Sequence, residues 1–243
     1  MHRNEKWIKL TGIVLCEAFA VFTVITLLSD SDPTGLAMAL ATVLYILLPA
    51  LLEKLFHCEL SLSFYIFVLA YATGPMIGHC WKFYYTVPGW DKLLHFSGGV
   101  VFAVLGAYLF DLLLRKNDNT IVRAIFALCF SVAIAAVWEF LEFGLDMLFD
   151  MDTQADTVIH GITSHLLGAD IGATGSITDI QSVIANGIAL PVAGYLDIGL
   201  IDSMTDMILE SIGAIITCAL IMVDKGKHPL ICSLLPEYRK EER

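Results

Sequence analysis

Charged residues are scarce in this chain of 243 residues, and basic residues are the scarcest of them. Asp, Glu, Lys and Arg make up 16% of the sequence, against about 25% in a soluble domain. The formal net charge of −11 argues against a nucleic acid as a partner. Hydrophobic residues make up 57% of the chain, and the mean hydropathy is +0.75. This composition indicates that lipid surrounds much of the protein.

Several familiar motifs are missing as well. The six cysteines show no CxxC spacing, which argues against a disulfide framework or a zinc finger. The sequence contains no Walker A loop, no GxSxG, no HExxH and no dinucleotide-binding glycine pattern. No small-residue cleavage site follows the first apolar stretch, so we expect an uncleaved first span.

Six segments are long and apolar enough to cross a bilayer, which takes about 20 residues. The sequence therefore predicts an all-α polytopic membrane helix bundle, with residues 1–243 forming a single transmembrane domain. The last two spans are separated by an exoplasmic connection, within which the apolar run 183–196 is broken by Pro191. Its length predicts short interfacial helices or a re-entrant piece. The predicted spans are residues 10–28, 35–52, 62–80, 93–114, 121–149 and 200–223, and the connection is residues 150–199.

Lysine and arginine predict the orientation, because they concentrate in cytoplasmic segments. Six spans place nearly all of them on one side of the membrane, with both termini in the cytoplasm. The basic residues on that side are Arg3, Lys6, Lys54, Arg115, Lys116, Arg123, Lys225, Lys227, Arg239, Lys240 and Arg243.

From Ala124 to Asp224 there is no Lys or Arg, although that stretch contains 13 Asp or Glu. Each charge in or beside a membrane costs roughly 2.5–3.5 kcal/mol on insertion scales. A positive ion or ligand must therefore balance these carboxylates, or some of them must be protonated.

Helical spacing gathers many of these groups into stripes on the last three spans. At a rise of about 1.5 Å per residue, the stripes share one level, from the outer interface to about 12 Å below it. Facing one another, they would form a pocket of carboxylates with one imidazole. The stripes are Asp91 with His95, then Glu139, Glu142 and Asp146, then Asp202, Asp206 and Glu210.

All eight of these residues are candidate ligands of a divalent metal ion. Such a donor set suits Zn, Mn or Fe, and also Mg or Ca if the histidine stays outside the shell. Glu142 or Asp206 is the candidate general base, and His79, His160 and His165 are possible additional ligands. Two structural roles compete with metal binding: solvated carboxylates at helix ends, and protonated carboxyls that bridge helices by hydrogen bonds.

Three separated motifs resemble bacterial inner-membrane proteins of the YjdF type, a multi-spanning family without an established activity. The motifs are residues 90–96 (WDKLLHF), 138–142 (WEFLE) and 202–206 (DSMTD) with Gly213-Ala214, within about residues 90–215. The resemblance implies a location in the bacterial cytoplasmic membrane. It supports as pocket residues Asp91, His95, Glu139, Glu142, Asp202 and Asp206.

Three functions follow as hypotheses. The first is a metal-dependent enzyme, a hydrolase or transferase acting on a lipid or lipid-linked headgroup at the outer leaflet. The second is a divalent-cation transporter or cation-binding membrane protein, whose path would continue inward through Glu17 and Asp111. The third is a helper or immunity-type protein that binds a cationic small molecule or peptide. Membrane lipids are the expected surroundings in each case.

Overall fold

The computed structural model describes residues 2–29, 32–55, 58–114, 119–224 and 237–238, and helices dominate it. Six helical segments within these ranges are long and apolar enough to cross a membrane, which confirms the predicted all-α polytopic fold. The helices are α1 (His2–Leu27), α2 (Pro33–Tyr45), α3 (Leu48–Leu55), α4 (Leu62–Cys80), α5 (Phe83–Thr86), α6 (Trp90–Leu113), α7 (Thr120–Phe149) and α8 (Leu200–Asp224).

The predicted orientation depends partly on basic residues outside the described ranges. These are Arg115, Lys116, Lys225, Lys227, Arg239, Lys240 and Arg243. The orientation stays a prediction.

The second span consists of two helices, α2 and α3. Proline has no backbone N–H to donate to the preceding helical turn, so Pro49 cannot continue α2. The chain turns at Ile46 and Leu47, and Leu51 N–H then bonds to Leu47 O at 3.0 Å in α3. At the start of α2, the Asp32 carboxylate accepts a bond of 2.8 Å from Gly35 N–H, as a capping residue does.

The chain divides into two compact units, and the prediction of a single domain stays a prediction. The helical unit is Met1–Ala135 with Leu209–Arg243, and the connection unit is Ala136–Ile208. In the helical unit, one apolar core contains Phe64, Tyr65 and Met76 of α4 among residues of α1, α2 and α6. A second core joins α6 to α7 and α8 through small side chains: Ala103, Ala107, Ala124, Ala127, Ala214 and Cys218. In this unit two short strands, β1 (Cys58–Glu59) and β8 (Glu237–Tyr238), also pair.

Helices α6 and α8 approach so closely that their backbones touch. A Cβ atom on Gly99 would lie 2.0 Å from the backbone oxygen of Glu210, and one on Gly213 would lie 2.3 Å from that of Phe96. Only glycine fits at either position. Glycines at such crossings let membrane helices gain van der Waals contact that larger residues would prevent.

Short strands form the connection between α7 and α8. Of the two expectations for this segment, short interfacial helices were wrong, and a re-entrant piece stays a prediction. Antiparallel pairs join β2 (Val158–Ile159) to β7 (Tyr195–Leu196), β3 (Ile162–Ser164) to β4 (Gly175–Ile177), and β5 (Ile184–Ala185) to β6 (Ile188–Ala189). The one helical turn among the described residues of the connection is a 3₁₀ turn at His165–Leu167.

A two-residue turn accounts for the hairpin in the apolar run. Asn186 and Gly187 have φ of 52° and 81°. Both values lie in the left-handed region that a type I′ turn requires and that Asn-Gly adopts readily. The first part of the run, residues 183–190, therefore folds back on itself at Asn186-Gly187.

Replacement of Gly99 by alanine should separate α6 from α8. The added methyl group would meet backbone atoms of Glu210, which cannot move aside as a side chain can. We expect a loss of about 1–3 kcal/mol in stability, as for other overpacked sites, measured by thermal unfolding in detergent. Gly144→Ala in α7 is the matched control, because nothing lies within 4 Å of its added Cβ. Equal stability of the two variants would contradict the close approach.

Candidate carboxylate site

Asp91 and His95 meet at the start of α6. They lie one turn apart, and His95 Nε2 is 3.6 Å from Asp91 Oδ1. The Asp91 carboxylate also accepts a hydrogen bond of 3.1 Å from Lys92 Nζ. His95 is buried, with 9% of its surface exposed. The Asp91 carboxylate and the His95 imidazole, four residues apart in the sequence, thus lie next to each other, as their helical spacing predicts.

Glu210 packs against the same face of α6, one turn further along the helix. A Cβ on Gly98 would lie 3.6 Å from Glu210 Cδ and 2.9 Å from Tyr71 Oη. Gly98 follows His95 by three residues, which places the two on one side of α6. Glu210 is 3% exposed. The missing side chain at Gly98 therefore leaves room for a carboxyl and a hydroxyl against this part of α6.

The connection unit uses Asp146 differently, to hold the backbone that leaves α7. Asp146 Oδ1 accepts bonds from Thr153 N–H at 2.7 Å and Thr153 Oγ1 at 2.6 Å, and Oδ2 accepts one of 2.9 Å from Gln154 N–H. Backbone donors thus balance part of its negative charge. Asp146, in the last turn of α7, thus holds the first residues of the connection against the helix end.

Two more carboxylates hold the chain where it returns to α8. Asp202 Oδ2 accepts a bond of 2.9 Å from Ala155 N–H. Asp197 accepts bonds of 2.7 Å from Thr157 N–H and from Ile201 N–H. Although burial alone would raise it, these backbone donors lower the pKa of Asp197. Together these bonds tie the two ends of the connection to the end of α7 and the start of α8.

Glu139 and Ser203 share one partner in the connection unit. Gln154 Nε2 donates to Ser203 Oγ at 2.5 Å and to Glu139 Oε2 at 3.4 Å. Glu139 is 6% exposed and Ser203 is 8% exposed. The amide of Gln154 therefore compensates part of the cost of burying the Glu139 carboxylate.

The two candidate bases lie in unlike surroundings. Asp206 is fully buried, with 1% of its surface exposed, and precedes Glu210 by one turn on α8. Glu142 is only half-buried, and its Oε1 accepts a bond of 2.9 Å from Trp138 Nε1. Their roles as bases, and the convergence of all three stripes in one pocket, stay predictions.

The three possible additional histidines each contact other groups. His79 Nε2 lies 3.5 Å from Asp32 Oδ2 in the helical unit. The Gly35 N–H bond and this histidine lower the pKa of Asp32. In the connection unit, His160 Nδ1 lies 3.1 Å from Ile180 O, and His165 Nδ1 lies 3.2 Å from Ala173 O. A carbonyl oxygen only accepts, so each of these two rings donates its Nδ1–H to the loop, which sets the ring orientation.

Two further carboxylates of the helical unit, besides Asp91, have basic partners. Lys9 Nζ lies 2.7 Å from Glu53 Oε1, and Arg123 binds Asp111. Lys9 also lies 4.9 Å from the centre of the Tyr65 ring. Asp111, expected as an inward step for a transported cation, is thus held by a guanidinium.

Sequence reasoning overlooked Gln154, Asp197, Ser203 and Tyr71. Spacing within one helix cannot reveal Gln154, because its partners lie on α7 and α8. A signal was present for Asp197: an aspartate shortly before a helix commonly accepts bonds from backbone N–H groups of the first turn.

Acid should loosen the start of α8 through Asp197. Its folded pKa lies below the ordinary 3.8, so its stabilisation is complete above that value and is lost as the pH falls through the folded pKa. Replacement by alanine should remove it at every pH, lowering local stability by about 1 kcal/mol. Hydrogen exchange at the Thr157 and Ile201 amides would report this loss. Asp170→Ala is the control, and the same loss in both variants would refute this role.

Comparison with known proteins yields one match. A family described as "predicted membrane protein (DUF2238)" matches residues 11–226, which includes the first spans as well as the three motifs. No curated protein and no solved structure shows a significant match. The match confirms the expectation of a multi-spanning membrane family. The chain belongs to the DUF2238 family of membrane proteins.

Proposed function

We propose that this membrane protein binds a divalent metal ion through Asp91, His95 and Glu210, and that it is a metal-dependent hydrolase or transferase for a lipid or lipid-linked headgroup. One observation carries the proposal. The close packing of α8 on Gly98 and Gly99 sets a buried carboxyl beside the α6 face that bears His95. The candidate ligands thus come from two helices held in contact by their backbones.

The donor atoms suit a metal. Two ligands of one tetrahedral ion, with bonds of about 2.1 Å, lie about 3.4 Å apart. Asp91 Oδ1 and His95 Nε2 are separated by 3.6 Å. Two carboxylates with one imidazole favour Zn, Mn or Fe over Mg or Ca. The sequence prediction adds Asp206 as a further ligand or as the base, because it shares a helix face with Glu210.

Charge supports the same assignment. Glu210 belongs to the stretch without lysine or arginine, and it is buried in a helix that crosses the membrane. Burial of a carboxylate is costly unless positive charge or hydrogen-bond donors lie near it. A divalent ion would compensate this cost, and the nearby Tyr71 hydroxyl could donate a hydrogen bond to the carboxyl.

The location favours a headgroup as substrate. Asp91 lies in the first turn of α6, at the end of its span. The preceding residues include Trp81 and Tyr85, both exposed, as aromatic residues at membrane interfaces often are. At that depth a bound ion would polarise a phosphoryl or acyl oxygen and lower the pKa of a bound water. The Arg123–Asp111 pair weighs against the alternative of a cation path through the membrane.

The metal content of the purified protein tests the proposal. We expect one or two equivalents of a divalent metal in the wild type by elemental analysis. His95→Ala and Glu210→Ala should each remove most of it, because each eliminates a ligand. Asp206→Ala should do the same if the sequence prediction for that residue is right.

Asp170→Ala is the control, since it removes an exposed aspartate of the connection. All variants should elute as the same species in gel filtration. Metal retained in both His95→Ala and Glu210→Ala would rule out the site. Metal-dependent headgroup release from phosphatidylethanolamine–phosphatidylglycerol vesicles, lost in His95→Ala, would support the enzyme. Metal binding without any headgroup release would support the metal site but reject lipid headgroups as the substrate class.

A methyl group at Gly98 should disturb the site while sparing the fold. It would press on Tyr71 Oη at 2.9 Å, the far end of a mobile side chain, and contact Glu210 Cδ at 3.6 Å. Displaced neighbours of metal ligands commonly weaken affinity by about 10- to 100-fold. We expect Gly98→Ala to weaken metal binding to this extent in competition with a chelator. Gly144→Ala is again the control. An unchanged metal affinity in Gly98→Ala would show that Glu210 is not a ligand of the metal.

A further inference from the structure

The hairpin of β5 and β6 exposes isoleucine on both of its faces. Ile184 pairs with Ala189, and Ala185 pairs with Ile188. Because neighbouring residues of a strand point to opposite faces, each face carries one isoleucine and one alanine. Ile184 is 69% exposed and Ile188 is 71% exposed. Neither face of this hairpin is buried against the protein, and an isolated two-stranded hairpin is marginally stable in water.

The chain tethers this hairpin near the membrane. The pair β2–β7 closes the connection, with Val158 opposite Leu196. Bonds from Ala155 and Thr157 tie the same region to the start of α8. The hairpin closes with a bond of 2.9 Å from Leu190 N–H to Val183 O. Leu190 precedes Leu196 by six residues, which span at most about 21 Å when fully extended.

Apolar exposure continues through both junctions of the connection. At the end of α7, Leu148 is 77% exposed and Phe149 is 68% exposed. Before and at the start of α8, Ile198 is 82% exposed and Leu200 is 63% exposed. Since both helices are membrane spans, these residues mark the level at which lipid meets the connection.

Charge separates the hairpin from the rest of the connection. Residues 181–196 contain no Asp, Glu, Lys, Arg or His, whereas the remainder of 150–199 carries six aspartates. An uncharged apolar segment between acidic segments suits the boundary between headgroups and acyl chains. The two-stranded backbone has unpaired edges, which excludes the hydrocarbon centre and favours this shallow depth.

We propose that the β5–β6 hairpin inserts Ile184 and Ile188 into the bilayer leaflet on the side of the connection, which is the outer leaflet in the predicted orientation. The occupant of this apolar surface is lipid from the membrane that the six helices cross. The hairpin is then a shallow anchor for the strand-containing connection, and it is independent of any metal at Asp91, His95 and Glu210.

Spin labels can locate the hairpin in the full-length protein. Single cysteines replace Ile184, Ile188 or, as the control, the exposed Thr178, in a chain whose six native cysteines are alanine. The labelled proteins are placed in nanodiscs of phosphatidylcholine and phosphatidylglycerol. Collisions with oxygen, which concentrates in lipid, and with a neutral nickel chelate, which stays in water, are then measured.

We expect the ratio of oxygen to nickel collisions to be several-fold higher at positions 184 and 188 than at Thr178. A ratio equal to that at Thr178 would place the hairpin in water and overturn the proposal. Low collision rates with both reagents would show that protein, such as a second copy of this chain, covers it, and would overturn the proposal as well.

A second measurement does not need the cysteine replacements. Ile188→Trp should gain fluorescence that brominated lipid chains quench, beyond the quenching of the four native tryptophans. The fluorescence added by Thr178→Trp should not be quenched by the brominated lipid chains. Equal quenching of the two added tryptophans would show that the hairpin lies no deeper in lipid than position 178, and would contradict its insertion.

Discussion

Between Ala124 and Asp224 the chain carries thirteen carboxylates and no lysine or arginine, and much of the structure depends on how their charge is balanced. Backbone N–H groups of the connection supply part of the answer. Asp146, Asp197 and Asp202 together accept five bonds from backbone amides, at 2.7–2.9 Å. Charge-assisted bonds of this kind are stronger than neutral ones. The acidic residues therefore determine the path of the connection.

The same constraint separates structural carboxylates from those available for chemistry. A carboxylate whose oxygens accept backbone N–H bonds, as in Asp146, has less capacity to bind an ion. Glu210 is buried in the helical unit, where α8 touches α6 at Gly99. In the interior of a spanning helix, backbone N–H groups bond to carbonyls of their own helix. Positive charge for Glu210 must then come from a side chain, a proton or a bound ion.

Sequence patterns predicted the six spans because a membrane helix depends on local properties, namely length and apolar content. They predicted the Asp91–His95 pair for the same reason, since residues four apart meet on one helix face. The partners of the other carboxylates could not be predicted, because they are distant in sequence. Asp202 bonds to a residue 47 positions earlier. The role of Gly98 likewise depends on Tyr71 and Glu210, which no spacing connects to it.

The short helices expected in the connection were wrong for a different physical reason. An apolar run of 14 residues in a membrane protein can form a short helix, and the expectation took Pro191 and the glycines as breaks without considering Asn186-Gly187 as a turn signal. Asn186-Gly187 favours chain reversal at two residues by allowing positive φ at both. In a helix the same Gly187 would be unfavourable by about 1 kcal/mol relative to alanine, and Pro191 would break the run further. Local backbone preference thus decided between two structures that hydrophobicity alone could not distinguish.

Basic residues are unevenly distributed along the chain, and so are the carboxylates that they pair with. Asp111 has Arg123 and Glu53 has Lys9, so these carboxylates need no ion from solution. The stretch from Ala124 to Asp224 contains thirteen Asp or Glu and no lysine or arginine. Carboxylates without a basic residue nearby in the sequence are thus concentrated in the last two spans and in the connection between them. For a chain that crosses the membrane six times, this favours a site served from the side of the connection over a path leading through to the other side.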